Sequence, residues 1–123
     1  MMKVLVTGGT GAVGKEVVRR LVDHHYQITV LCRTPQVTAG DGATYVVGDI
    51  TDYPSLQRAV QGCEAVVHLA AIPNPSAGSS ERVFLSNVQG TFNVFKACEE
   101  EGIQRVVQAS SINALGIFYG KVE

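Results

Sequence analysis

The sequence carries no field of one charge. Ten lysines and arginines stand against 11 aspartates and glutamates, for a formal net charge of −1. That leaves nothing to gather nucleic acid or an anionic membrane by long-range attraction. No apolar run approaches the roughly 18 residues that cross a bilayer. The three cysteines, Cys32, Cys63 and Cys98, are odd in number and far apart, and no pair has metal-ligand or redox-motif spacing. The opening MMKVLVTGG goes straight into a strand pattern, without the charged leader, apolar core and cleavage site of a secretory signal. A reducing, cytoplasmic setting is therefore the expectation. Internal repeats and low-complexity tracts are lacking too. The one charge block, Glu99-Glu100-Glu101, reads as a solvated helix end on the unfavourable side of the helix dipole.

What is present is 123 residues, 46% hydrophobic and 17% charged, enough for one domain around one well-filled core. Two element types alternate. Lys3–Thr7 (KVLVT) is a short apolar run stopped by glycines, a buried strand. Residues 13–24 place Val13, Val17, Val18, Leu21 and Val22 on a helical stripe. Gln27–Cys32 and Thr44–Val47 read as the second and third strands, with Pro35, Gly40 and Gly42 loosening the segment between them. Residues 52–61 form a short helix with Asp52 as N-cap and Gly62 at a left-handed C-terminal position. Residues 65–69 are the fourth strand and 73–80 a loop rich in Pro, Ser, Asn and Gly. The longest helix runs over 81–101, carries Phe84, Val88, Phe92 and Phe95 on one face, and ends at Gly102. Residues 105–109 are the fifth strand. Strands separated by helices at this spacing predict an α/β fold, a doubly wound, mostly parallel sheet of Rossmann type in the order 3-2-1-4-5.

The segment TGGTGAVG lies between the first strand and the first helix. Gly9, Gly11 and Gly14 satisfy the spacing G-x-G-x-x-G, and Gly8, Gly11 and Gly14 a related TGxxGxxG spacing. Either supplies a tight turn, a close backbone approach to a pyrophosphate and close packing of helix on strand. The helix N-terminus beyond it offers N–H groups and a positive dipole end to phosphate. A nicotinamide dinucleotide is the implied ligand.

At the end of the second strand an acidic residue would bind the 2′-hydroxyl of NAD. Here the strand ends Cys32-Arg33-Thr34. Arg33 can grip a 2′-phosphate with its planar fork of donors, so NADP is preferred over NAD; its other reading is a solvated loop arginine. Asp49, in GDIT, can accept from the adenine amino group with Ile50 stacked on the ring, or simply form a turn. Leu69, Ala70 and Ala71 end the fourth strand at the carboxyl edge, where open α/β sheets bind ligands. His68 lies beside the same cleft. Alone it makes no metal site, and it reads as a satisfied core or surface histidine, as do His24 and His25 at a helix end.

Together, TGGTGAVG, GDITD, HLAA, NVQGTFNVFKAC and RVVQASSINALG resemble the extended short-chain dehydrogenase/reductase family, the NAD-dependent epimerases and dehydratases, in order and spacing over nearly the whole chain. The resemblance implies that Gly8, Thr10, Gly11, Ala12, Val13 and Gly14 form the pyrophosphate turn. It implies that Asp49 and Ile50 contact adenine, and that Leu69, Ala70 and Ala71 line the ribose region. Asn87 matches a position near the cofactor. Ser111, or its neighbour Ser110, matches the catalytic serine; by local chemistry alone such a serine is a turn or cap residue.

The family's catalytic pair, Tyr-x-x-x-Lys, is not matched. Tyr119 has Glu123 where the lysine belongs, and Lys121 stands two positions away, off the tyrosine's helical face. The chain is thus expected to be the N-terminal, dinucleotide-binding part of a longer protein, inactive by itself, its fifth strand left as an open edge. Pairing of copies through that edge or through the long-helix face is expected. The parent would be an oxidoreductase or epimerase acting on a hydroxyl or carbonyl carbon, with a sugar or nucleotide-sugar as the expected substrate. The alternatives are a non-catalytic dinucleotide-binding module and, less well matched to the glycine turn, a flavodoxin-like nucleotide-binding domain.

Overall fold

The computed structural model describes residues 1–35, 40–73 and 78–111. Strands β1 (Lys3–Thr7), β2 (Gln27–Cys32), β3 (Thr44–Val47), β4 (Ala65–His68) and β5 (Arg105–Gln108) form a five-stranded sheet in the order β3-β2-β1-β4-β5. Every pairing is parallel, with Val6 opposite Val30 on one side and Val67 on the other. The expected fold is the observed one. The fourth and fifth strands each end one residue earlier than read from the sequence.

Helices cover both faces because the strand period of two sorts the apolar residues into two sets. Val4 and Val6 of β1 point to one face, where they meet Ile28, Val30 and Val18 of α1 (Ala12–Asp23). Leu5 points to the other, into a cluster with Leu31, Leu56, Val66 and Val94. Each such side chain contributes about 1.5–3 kcal/mol by leaving water. Helix α2 (Tyr53–Val60) and the long helix close that second face.

The long helix is not uniform. It begins as α3 (Ser80–Phe84), capped where the Ser79 side chain accepts the Arg82 N–H. It then widens into a π-helical turn, Leu85–Gln89, and continues as α4 (Gly90–Glu101). Its core face is Gly90, Asn93, Val94, Ala97 and Cys98, whereas Phe84, Val88, Phe92 and Phe95 point outward.

Three local expectations change. Asp52 occupies the N-cap position of α2, but its side chain makes no cap bond; the Ser55 hydroxyl donates to the Asp52 carbonyl instead. Val13 stands 69% exposed, outside the apolar stripe of its helix. The acidic triplet is more than a solvated end. Glu100 accepts from the Tyr53 hydroxyl at 2.6 Å and from Gln57, and Glu101 accepts the Gly62 N–H. Burial and the Glu100 contact push the Tyr53 phenol up to about 12. Gly62 and Gly102 are left-handed, as expected of helix ends.

Candidate functional site

The site is built at the carboxyl edge of the sheet. β1 ends in Thr7, and Gly8 turns the chain at φ +73°. A Cβ there would lie 2.6 Å from the Ala70 nitrogen and the Leu69 carbonyl carbon, so only glycine fits. A Cβ on Gly14 would meet the Gly8 oxygen at 1.9 Å, which is how closely α1 seats on the turn. Of the two spacings, the one starting at Gly8 is realised at the cleft. Gly9 is buried against Val30.

Helix α1 starts without a cap. Gly11 holds the N-cap position with no side-chain bond, and the first turn contains no acidic residue. The first helical hydrogen bond runs from Lys15 N–H to the Gly11 oxygen. The N–H groups of Ala12, Val13 and Gly14 precede it and have no helical acceptor. They meet the positive end of the helix dipole at the cleft, a seat for an anion.

That cleft measures about 1000 Å³, within the range of small-molecule and cofactor sites. Its lining brings together Gly8, Thr10, Gly11, Ala12, Val13 and Gly14, then Arg33, Asp49 and Ile50, then Leu69, Ala70 and Ala71. The exposure of Val13 is explained here, because it faces the cleft. Among the described residues no ion pair engages Arg33. Asp49 forms the turn foreseen for it. Its Oδ1 accepts the Thr51 N–H and hydroxyl in a turn, while Oδ2 carries no hydrogen bond among the described residues. Ile50 touches the cleft but is 6% exposed, its side chain packed under Gly90 in the core. Cys32 reaches the cleft as a thiol that donates to the Val46 carbonyl, its pKa pushed up by burial.

Three expected residues stand outside the lining. Asn87 spends its amide on the loop after β4, accepting the Ile72 N–H at 2.7 Å and donating to the Ile72 oxygen at 3.0 Å. It shapes the cleft through that backbone, from within the π-helical turn. Ser110 and Ser111 follow β5 at the same sheet edge and are exposed. Tyr119, Lys121 and Glu123 lie outside the described residues.

His68 is a satisfied core histidine, 3% exposed. Its Nδ1 meets the Thr7 hydroxyl at 2.6 Å and its Nε2 the Thr91 hydroxyl at 2.9 Å; burial lowers its pKa. Among the described residues no cluster of acidic, histidine or cysteine side chains can hold a metal. Sequence reasoning missed Thr7, Thr91 and the cleft-lining Arg82. The T of TGG was a signal for the first; nothing in the local pattern pairs Thr91 with a strand.

The profile of the NAD dependent epimerase/dehydratase family matches residues 4–123. The chain belongs to the NAD dependent epimerase/dehydratase family. Within that family it is similar to a putative dihydroflavonol 4-reductase from Synechocystis, 37% identical over 115 residues, covering 91% of this chain and 33% of that protein. A 3-beta-hydroxysteroid dehydrogenase from Mycolicibacterium neoaurum is 36% identical, covering 89% of this chain and 32% of the relative. Among solved structures, a mutant uronate dehydrogenase from Agrobacterium tumefaciens complexed with NAD superposes with a TM-score of 0.79 at 30% identity, covering 90% of this chain and 41% of that one. This family member therefore spans about a third of the length of the curated relatives it matches.

Proposed function

We propose that the chain is the dinucleotide-binding part of an oxidoreductase or epimerase that acts on a hydroxyl or carbonyl carbon. The observation that carries this reading is the uncapped start of α1, fronted by the Gly8–Gly14 turn and opening on the cleft. Pyrophosphate sits on the N–H groups of Ala12, Val13 and Gly14. Adenine lies toward Asp49 Oδ2 and the edge of Ile50, and the nicotinamide ribose beside the small residues Ala70 and Ala71. Thr10 and Gly11 border the phosphates. When bound, the dinucleotide supplies the hydride chemistry that no side chain can. Ser111 orients the substrate oxygen in the longer protein. This chain by itself, without Tyr-x-x-x-Lys, binds but does not turn over, which is also what a non-catalytic binding module would do. A sugar or nucleotide-sugar remains the substrate class we favour, supported by the similarity to a uronate dehydrogenase.

NADP is preferred over NAD on the strength of Arg33, which lines the cleft at the end of β2, where no carboxylate stands. Calorimetric titration with each dinucleotide tests it. Removing a charged hydrogen-bond donor costs about 1.5–3 kcal/mol, so Arg33→Ala should weaken NADP about tenfold or more and leave NAD unchanged. NADP affinity that survives the substitution rejects the phosphate assignment.

Two further readings accompany it. Copies of the chain pair through the open β5 edge or the exposed Phe84–Phe95 face. The three free cysteines, all buried, suit a cytoplasmic setting. Among the described residues no helix is long and apolar enough to cross a membrane.

A further inference from the structure

The hydrogen bonds around Thr7 fix more than a packing detail. Its hydroxyl oxygen receives two backbone donors at 3.2 Å, Ala70 N–H and a Leu69 N–H that it shares with the Thr7 carbonyl oxygen at 3.0 Å. A hydroxyl oxygen has two lone pairs and one proton. Both lone pairs face these donors, so the contact of 2.6 Å to His68 Nδ1 must use the proton. Nδ1 therefore accepts. In a neutral ring the hydrogen then sits on Nε2, from which it is donated to the Thr91 hydroxyl at 2.9 Å. One chain of bonds thus ties β1, β4 and α4 together directly behind Leu69 and Ala70. Those two residues rest on Gly8 with no room for a single carbon between them. Any shift of the Leu69–Ala70 backbone is passed to the glycine turn.

We infer that His68 is a positioning residue for the dinucleotide site: as the neutral Nε2–H tautomer it holds the Thr7 hydroxyl, and through it the Leu69–Ala70 wall, at the height the cofactor needs. The inference rests on reading the cleft as a dinucleotide site. It also makes the wall sensitive to protonation. A second ring proton would point at an oxygen already receiving Ala70 N–H and a share of Leu69 N–H, so protonation turns the Thr7 hydroxyl or displaces one of these donors, of which Leu69 keeps the Thr7 carbonyl as acceptor.

No charge on the packed elements competes with this. From β1 the ring meets Thr7, from β5 its register partner is Gln108, and from α4 it meets Thr91. The charged residues of these elements sit elsewhere. Lys3 and Arg105 begin their strands, Glu99, Glu100 and Glu101 end the helix, and Lys96 lies over the Tyr53 ring. Burial is the cause that lowers the imidazole pKa.

The test combines nitrogen-15 NMR of the imidazole with dinucleotide titration of the whole chain at several pH values. At neutral pH the His68 shifts should mark Nδ1 as unprotonated and Nε2 as protonated. NADP or NAD affinity should fall as pH drops through the titration of His68. His68→Ala should weaken binding about tenfold, the loss of roughly one hydrogen bond's worth of alignment. His68→Asn, whose carbonyl can still accept from Thr7, should stay within about threefold of the parent and lose the pH dependence. Thr91→Val, which removes only the far acceptor, should relax the tautomer preference and weaken binding less than His68→Ala. The opposite tautomer, or a pH dependence that persists in His68→Asn, overturns the inference while leaving dinucleotide binding intact. A folded chain with the expected tautomer that binds neither dinucleotide rejects the cofactor reading itself, and the positioning role with it.

Discussion

The two flanks of the central strands are built to different standards. On the β1 side, Leu5 and Val6 are fully buried, and Gly8, Gly9 and Gly14 have no room for a Cβ. On the β5 side, Val107 is 63% exposed and Phe92 60%, and a groove of about 760 Å³ runs past Phe92, Phe95, Ile103 and Val106. Exposed apolar surface of that kind marks a place where something packs. The closed flank holds everything the cofactor reading needs. The open flank holds the residues that the reading does not use. The contrast teaches that the turn and its Leu69–Ala70 wall are packed to completion, whereas the β5 flank presents apolar surface.

The largest expected effect separates two glycines of one motif. In Gly14→Ala the new carbon collides with the Gly8 backbone oxygen, an overlap no rotamer relieves. We expect a loss of about 3 kcal/mol or more in urea unfolding, at the upper end of overpacking costs. In Gly11→Ala the nearest atom is the Gly8 oxygen at 3.5 Å, an ordinary contact. Stability should change by about 1 kcal/mol or less, while dinucleotide affinity drops because the methyl group occupies the phosphate approach. Equal destabilisation by both would break the distinction between a packing glycine and a binding glycine.

This distinction was only half legible in the sequence. The spacing announced a turn and three roles, but it allowed Gly8 or Gly9 as the first glycine. The choice depends on Leu69 and Ala70 arriving from β4, a contact that no local pattern encodes. Strands β1, β2 and β3 were legible to the residue, since β-branched runs bounded by glycine or turn residues leave little choice. β4 and β5 end one residue early, although the N–H groups of Leu69 and Ala109 still bond the carbonyls of Thr7 and His68 across the sheet. The long helix was legible in extent. Its aromatic face was visible too, but an apolar stripe states only that something covers it. The core side, with Gly90 and Asn93, is the less hydrophobic of the two, and Asn93 earns its burial by donating to the Ile50 oxygen at 2.8 Å. The π-helical turn that lets Asn87 reach Ile72 has no sequence signal at all.

The next effect sharpens the closed flank through acidity. Burial holds the His68 imidazole below its ordinary value of 6.5. Between those two values the unfolded chain binds more protons than the folded one, so stability rises with pH across that interval. It is fully present above about pH 7 and is lost as pH falls through 6.5 toward the lower folded value, with a slope of at most about 1.4 kcal/mol per pH unit for one site. Urea midpoints at a series of pH values between 8 and the onset of acid denaturation give the curve. Glu16 and Glu100, held low by Arg19 and Tyr53 respectively, act in the opposite range, below the usual carboxylate value of 4.5, and both are exposed. His68→Asn should flatten the upper part of the curve and leave the acid limb alone. A slope that survives in that variant would assign it to another group.

The smallest effect on binding belongs to the open flank. Val107→Lys places a charge on the exposed β5 edge, and Phe92→Ser removes an aromatic ring from the outward helix face. Neither residue borders the dinucleotide cleft. Affinity for NADP and NAD should therefore stay within about twofold of the parent, and unfolding free energy within about 0.5 kcal/mol, as for surface substitutions that remove no buried contact. Association should respond instead. If copies pair through this flank, sedimentation velocity at tens of micromolar protein will show the parent shifting toward a larger species with concentration and the double variant remaining a monomer. The two substitutions made singly tell edge pairing from helix-face pairing, since a lysine on the strand disfavours only the first. A monomeric parent would reject self-pairing as the fate of this surface. A double variant that lost dinucleotide affinity would go further, because it would mean that the turn and its wall depend on the open flank after all.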